Sequence, residues 1–166
     1  RVLYTTYDVT GKLREGRNTL GVILGDGWYN QHSVDTWSVD QAPWRDRPKA
    51  LVQLEVEMED GSIRTFVSDE SWKAKESPIV FSSIRQGESY DARLEEANWN
   101  TPEYDDSDWT PVWHAMAPQG KLQAQELEPM RVKESFMPNK ITQPTDSTWV
   151  LYYPQDIAGW VKIRVK

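Results

Sequence analysis

The sequence predicts an all-β chain: an antiparallel jelly-roll-like β-sandwich followed by part of a second β-sandwich. Two observations carry this. Apolar residues recur with the period of two of a strand, and no stretch holds the ~3.6-residue spacing of an amphipathic helix. Ten prolines and nine glycines break the apolar runs into short segments joined by turns, as sandwiches and barrels require.

The clearest strand pair spans residues 51–67. Leu54, Val56 and Met58 fall on one face, and Glu55 and Glu57 on the other. Glu59-Asp60-Gly61-Ser62 then supplies an Asp-Gly turn signal, and residues 63–67 return as the second arm of a hairpin. Residues 19–24 form a continuous apolar run closed by Gly25-Asp26-Gly27, the pattern of a strand buried on both faces. Residues 149–153 and 160–165 predict two more strands, the latter alternating Val161, Ile163 and Val165 against Lys162, Arg164 and Lys166. Helix is expected only as short turns, near residues 94–98 and 105–109. Ala117-Pro118-Gln119-Gly120-Lys121 has the chemistry of a linker. It divides the chain into residues 1–117 and 118–166.

Composition excludes several classes of function. A net charge of −7, with basic residues scattered among acidic ones, lacks the clustered Lys and Arg of a nucleic-acid footprint. No run approaches the ~18 apolar residues of a membrane span. The chain has no cysteine, which removes disulfides and thiolate metal sites, and His32 and His114 alone do not build a histidine zinc site. Nine tryptophans and seven tyrosines stand in a chain of mean hydropathy −0.72. Aromatic rings on a polar background suit stacking on sugars, but they also anchor cores, and most are expected to be structural.

The most informative run is residues 81–109, with Gly87, Glu88, Tyr90, Asp91, Ala92 and Arg93 followed by Tyr104-Asp105-Asp106-Ser107 and Trp109. Upstream stand Tyr7-Asp8-Val9-Thr10, a Leu13-x-Glu15-Gly16-x-Asn18-x-Leu20-Gly21-Val22 segment, Gly25-Asp26-Gly27-Trp28-Tyr29, Arg47-Pro48-x-Ala50-Leu51 and Ser68-Asp69-Glu70-Ser71-Trp72-Lys73. In this order they closely resemble the N-terminal β-rich region of bacterial α-L-rhamnosidases. Single motifs also occur in galactose-binding-like domains of β-galactosidase relatives; the order is what makes the resemblance specific. Residues 128–132 and 157–161 resemble the opening of the family's next, concanavalin-like β domain. Tyr153-Pro154-Gln155-Asp156 stands where the family reads Phe-Gly-Gln-Asn, and Pro154 restricts φ and removes an amide donor there.

The resemblance implies a galactose-binding-like fold whose first strands would precede Arg1, leaving an unpaired sheet edge with a tendency to self-associate. It further implies a non-catalytic accessory part of an enzyme that releases terminal α-L-rhamnose from glycans. The inverting acid and base would lie on a downstream (α/α)6 domain. No catalytic residue is expected in this chain. The implied partners are that domain and a rhamnose-containing glycan, with neither nucleic acid nor membrane. The rival roles are an independent rhamnose-binding module and a purely structural scaffold. Location stays open, with an extracytoplasmic setting favoured because polymeric glycans are found there.

Glycoside hydrolysis needs two carboxyl groups across the scissile bond, and Glu88 with Asp91, or Asp105, Asp106 and Asp108, supply carboxylates. Short acidic runs more often cap turns, and Asp105-Asp106-Ser107 before Trp109 fits an Asx-turn or N-cap. Glu88, Tyr90, Asp91 and Arg93 suggest a buried bidentate Arg–carboxylate pair that fixes the loop. For sugar binding the candidates are Trp28, Tyr29, Trp44 and Asp46, with Trp37 in the same long polar loop; packing against a partner domain is the competing use. Some family members hold a calcium ion beside a bound rhamnose. That implies Asp46 and the Gln86 region as oxygen donors, although Arg47 places a cation where a neutral oxygen is wanted. No other cofactor is expected. His32 and His114 read as surface or hydrogen-bonding residues.

Overall fold

The structure is a computed structural model and describes residues 2–32, 34 and 37–164. Its strands are β1 (Val2–Tyr4), β2 (Gln53–Glu57), β3 (Ile63–Val67), β4 (Lys73–Ala74), β5 (Ile79–Ser83), β6 (Gly87–Tyr90), β7 (Thr110–Pro111), β8 (Leu122–Ala124), β9 (Lys140–Thr145) and β10 (Thr148–Tyr152). The helical elements among the described residues are single 3₁₀ turns at Thr10–Lys12, Val39–Gln41 and Ala92–Leu94. The all-β expectation holds. Helix stays at single turns because the sequence never sustains a helical stripe.

The strands pair as β1–β8, β2–β3, β4–β7, β5–β6 and β9–β10, and none of these sheets exceeds two strands. The β2–β3, β4–β7, β5–β6 and β9–β10 ladders are antiparallel. In β2–β3, Leu54 faces Phe66 and Glu57 faces Ile63. The loop between them closes with Gly61 N–H donating to Met58 O at 2.9 Å and Met58 N–H to Ser62 O at 2.8 Å. Gly61 sits at φ +76°, the left-handed position that an Asp-Gly pair supplies at low cost.

Two expected strands are absent. Residues 19–24 lie outside every ladder, as do residues 160–164; Val165, the end of the second expected strand, lies outside the described residues. Periodicity marks a segment as strand-competent, but a strand exists only when a neighbouring backbone takes its hydrogen bonds. Among the described residues, no backbone hydrogen bond reaches residues 19–24.

The chain divides into two units, residues 1–2 with 6–122 and residues 3–5 with 123–166. Among the described residues no hydrophobic side chain is buried, and the buried residues are polar: Asn30, Gln31 and Ser83. In the first unit, order therefore rests on turns and polar clusters. Asp8, Asp60, Asp69, Asp91 and Asp105 each accept the backbone N–H two residues on, at 2.9 to 3.1 Å. In all but Asp91 the donor residue is Ser or Thr. These are Asx-turns, and they explain much of the acidic composition. Asn18 closes the Glu15-Gly16 turn similarly, donating to Arg14 O at 2.8 Å and accepting from Arg14 N–H at 3.0 Å.

Candidate functional site

The loop after residue 25 is built around Asp26. Asn30 donates to it twice, from its backbone to Asp26 O at 3.0 Å and from its side chain to Oδ1 at 2.6 Å. Gly27 makes this turn possible at φ +54°. His32 Nε2 lies 2.9 Å from Asn30 Nδ2 and 3.7 Å from Asp26 Oδ1, and its Nδ1 lies 3.3 Å from the Arg45 guanidinium. Arg45 also donates to Asp40 O and, at 3.4 Å, to Asn30 Oδ1. The two ends of the loop are thus tied by a polar network.

A second set of contacts brings this loop to the tip of the β5–β6 hairpin. Gln31, fully buried, donates to Ser83 Oγ at 3.5 Å. Arg85, in the hairpin turn, places its guanidinium carbon 4.0 Å from the Trp37 ring centre and 5.8 Å from that of Trp28. Both are cation–π distances. Gln86 is exposed in the same turn.

The sequence-derived residues distribute as follows. Asp46 N–H donates to Tyr29 O at 3.2 Å, and Lys49 Nζ lies 5.5 Å from the Tyr29 ring centre. Lys49 also pairs with the Asp46 carboxylate, which accepts the Arg47 N–H at 2.8 Å as well. The Lys49 hydrogen bond, with that amide second, holds the Asp46 carboxyl below its ordinary range. Tyr29, Asp46 and Lys49 therefore form one cluster and Trp28 belongs to the Arg85 stack. Trp44 stands exposed on its turn. No hydrogen bond or ion pair among the described residues joins Gln86 or Trp44 to Asp46. Among those residues, no three His, Cys, Asp or Glu side chains converge as metal ligands. Calcium wants six to eight oxygens, whereas Asp46 faces an ammonium group. The donor set does not fit that ion. Sequence reasoning missed Arg85 and the Asp26–Asn30–His32–Arg45 network; only the His32 expectation of a hydrogen-bonding residue touched them.

Of the motif carboxylates, Asp91, Asp105, Asp106 and Asp108 have structural partners, whereas Glu88 stands exposed on β6. Asp91 binds Arg93 through Nε at 2.8 Å and a guanidinium nitrogen at 2.5 Å, so the expected bidentate pair is present. It is not buried: the Arg93 side chain is 88% exposed, and the Asp91 side chain 24%. Tyr90 donates to Glu95 rather than to this pair. Asp106 accepts Lys73 at 2.6 Å, and Asp108 accepts Lys75 at 2.7 Å. Lys75 also reaches Glu96, which accepts from Tyr104 O–H and, at 3.3 Å, from Trp109 Nε1. Trp109 stacks on Trp99 with ring centres 6.3 Å apart and meets Tyr104 edge-on at 5.9 Å. The Ser-Asp-Glu-Ser-Trp-Lys and Tyr-Asp-Asp-Ser-x-Trp motifs are thereby joined through β4 and β7, with Val112 N–H donating to Trp72 O at 3.1 Å.

This network sets a pH dependence. The Lys75 hydrogen bond, with Tyr104 second, lowers the Glu96 pKa from its ordinary 4.5, and Lys75 lowers Asp108 from 3.8. Depressed carboxyl pKa values give stabilisation that is complete above the ordinary values and is lost as pH falls through the lowered ones. Asp108 and then Glu96 raise Lys75 above 10.5, and Glu96 raises Tyr104 above 10.0; their share is complete below those values and is lost above the raised ones. Tryptophan fluorescence should hold steady between about pH 5 and 9 and change on acidification below that window. Trp109→Phe should remove part of the acid change. A wild-type signal flat to pH 2 would show that the network does not form.

The α-L-rhamnosidase N-terminal domain model matches residues 1–134. An α-L-rhamnosidase of Formosa agariphila is 36% identical over 166 residues, covering 98% of this chain and 17% of that protein. One of Streptomyces avermitilis is 38% identical, covering 99% of this chain and 16% of that protein. The crystal structure of the Streptomyces avermitilis α-L-rhamnosidase complexed with L-rhamnose matches with a TM-score of 0.66 and 35% identity, over 76% of this chain and 12% of that one. The chain spans about a sixth of the length of these curated relatives. By its ordered motifs, its all-β structure and these matches, the chain belongs to the α-L-rhamnosidase N-terminal domain family.

Proposed function

We propose that this chain is a non-catalytic accessory part of an α-L-rhamnosidase, a glycoside hydrolase that releases terminal α-L-rhamnose from glycans. The inverting acid and base lie outside these 166 residues, on an (α/α)6 domain of the same polypeptide. This reading is carried by the engagement of four of the five candidate carboxylates, which leaves Glu88 without the second member of a catalytic pair. Asp91, Asp105, Asp106 and Asp108 each hold a turn or an ammonium or guanidinium partner. An inverting pair needs one protonated acid and one free base about 6.5–9.5 Å apart; carboxyl groups locked in ion pairs or turns suit neither role.

Residues 1–117 form the galactose-binding-like, jelly-roll-like part in this proposal, and residues 118–166 the linker and beginning of the second β-sandwich. Trp28, Tyr29, Trp44 and Asp46 are the proposed sugar contacts, with rings offered to the apolar face of the sugar. The L-rhamnose bound in the Streptomyces avermitilis structure supports rhamnose as the ligand class. The paired state of Asp46 supports binding without calcium at Asp46 and Gln86. In the parent enzyme, Trp28→Ala with Trp44→Ala should lower kcat/KM on a rhamnose-bearing polysaccharide about tenfold, the loss of one or two stacking contacts. Turnover of a small aryl α-L-rhamnoside should stay unchanged, with chelator making no difference. Equal losses on both substrates would refute the accessory role.

A further inference from the structure

The segment that carries Trp28 and Trp37 meets the β5–β6 hairpin at successive positions. The Gly25 backbone lies against Ser82, whose Oγ would stand 3.7 Å from a Cβ at position 25. Gln31 then donates to the buried Ser83 at 3.5 Å. Last, Arg85 sets its guanidinium over the indoles, 4.0 Å from the centre of Trp37 and 5.8 Å from that of Trp28. The hairpin is the firmer partner. Ser83 and Gly87 pair across its ladder, Gly87 takes φ +80°, and residues 84–86 close a short turn between them. Trp28 and Trp37 lie on turns outside every ladder, so their backbone is not held by strand pairing.

We infer that Arg85 is a positioning residue for sugar binding, whose guanidinium holds Trp28 and Trp37 in place as one two-ring platform. The inference rests on the sugar-contact reading above and adds Trp37 and Arg85 to it. An indole on a turn has several rotamers open to it. A ligand that needs one arrangement of two rings binds more weakly in proportion to the fraction of time that arrangement is populated. A cation brought from a paired hairpin raises that fraction before the ligand arrives. Arginine suits the task, because its planar guanidinium stacks on aromatic faces and stays charged at every physiological pH. With the contact in place Trp37 remains 66% exposed and Trp28 48%, so Arg85 orients the rings without covering them. The Lys49 contact with Tyr29, at 5.5 Å, joins residues of one local cluster and does not tie them to the hairpin.

NMR of the chain, with L-rhamnose as the probe, tests the inference. Without sugar, the Arg85 side-chain protons should stand upfield of their ordinary positions through the ring currents of the indoles. Arg85→Ala should move the Trp28 and Trp37 indole N–H resonances and leave those of Trp99 and Trp109 in place, which reports that the variant is folded. L-rhamnose should shift the Trp28 and Trp37 signals of the wild-type chain, and Arg85→Ala should weaken that binding about fivefold. Arg85→Lys keeps the charge and loses the planar stack; it should show the same changes at smaller size, and it carries the test should the alanine variant not fold. Unchanged indole resonances in the folded variants would overturn the inference. Moved resonances with unchanged rhamnose affinity would make the contact purely structural and overturn it equally, while leaving the sugar-contact reading intact. A wild-type chain that shows the upfield Arg85 protons and no rhamnose-dependent shift would overturn that reading together with the role of Arg85 in binding.

Discussion

Trp109→Ala should destabilise the first unit by about 2–3 kcal/mol, below the ~3–5 kcal/mol of a fully buried Trp because this ring is only half-buried. The loss comes from several contacts held by one side chain. Its face stacks on Trp99 and its edge meets Tyr104. Its indole N–H reaches Glu96 and the Tyr104 oxygen, each at 3.3 Å. Trp109 also precedes β7 directly, so its release frees the short β4–β7 ladder. Trp109→Phe keeps an aromatic face and loses the N–H donor, and should cost about 1 kcal/mol. Urea unfolding of both variants, with exchange at Lys73, Ala74 and Thr110, separates stacking from hydrogen bonding. Wild-type behaviour of the alanine variant would mean that the aromatic cluster does not order this region.

Gly21→Ala should cost about 1–3 kcal/mol, the range for overpacking a filled position. A Cβ on Gly21 would meet the Trp99 ring, with Cε3 at 3.3 Å and Cζ3 and Cη2 closer still. A lone ring would swing aside at small cost. Trp99 is stacked on Trp109, so displacing it disturbs the Glu96 network as well. Gly11 supplies the control, since a Cβ there meets nothing within 4 Å, and Gly11→Ala should be neutral or slightly stabilising. Trp99→Ala should abolish the penalty of Gly21→Ala, a coupling that a double-mutant cycle reads directly. Equal effects at Gly11 and Gly21 would show that the ring does not lie where the structure has it.

The features legible in the sequence were the local ones. The β2–β3 register follows from alternation and the Asp-Gly turn, and Asp105-Asp106-Ser107 announces its own Asx-turn. The Asp91–Arg93 pair is likewise local, but its exposure depends on what packs over it and so escaped the sequence. Residues 19–24 and 160–164 show the limit of periodicity: it identifies a segment able to form a strand, but a ladder forms only where a neighbouring backbone takes its hydrogen bonds. The Arg85 stack and the Lys75–Asp108 pair join residues far apart in sequence, and no local pattern encodes such convergence. Of the candidate site, Tyr29 and Asp46 come together through the Asp46 N–H bond to Tyr29 O, a link that the long intervening loop concealed.

If, as proposed, the acid and base lie outside these residues, turnover of an aryl α-L-rhamnoside by the proposed parent α-L-rhamnosidase does not depend on the carboxylates of this chain. Glu88→Gln, Asp91→Asn, Asp105→Asn, Asp106→Asn and Asp108→Asn, introduced singly, should each leave kcat within about threefold of wild type. General acid or base residues contribute about 10²–10⁴-fold. A hundredfold or greater loss in kcat from any of them, in a variant that melts like wild type, would place a catalytic carboxyl within this chain and overturn the accessory role.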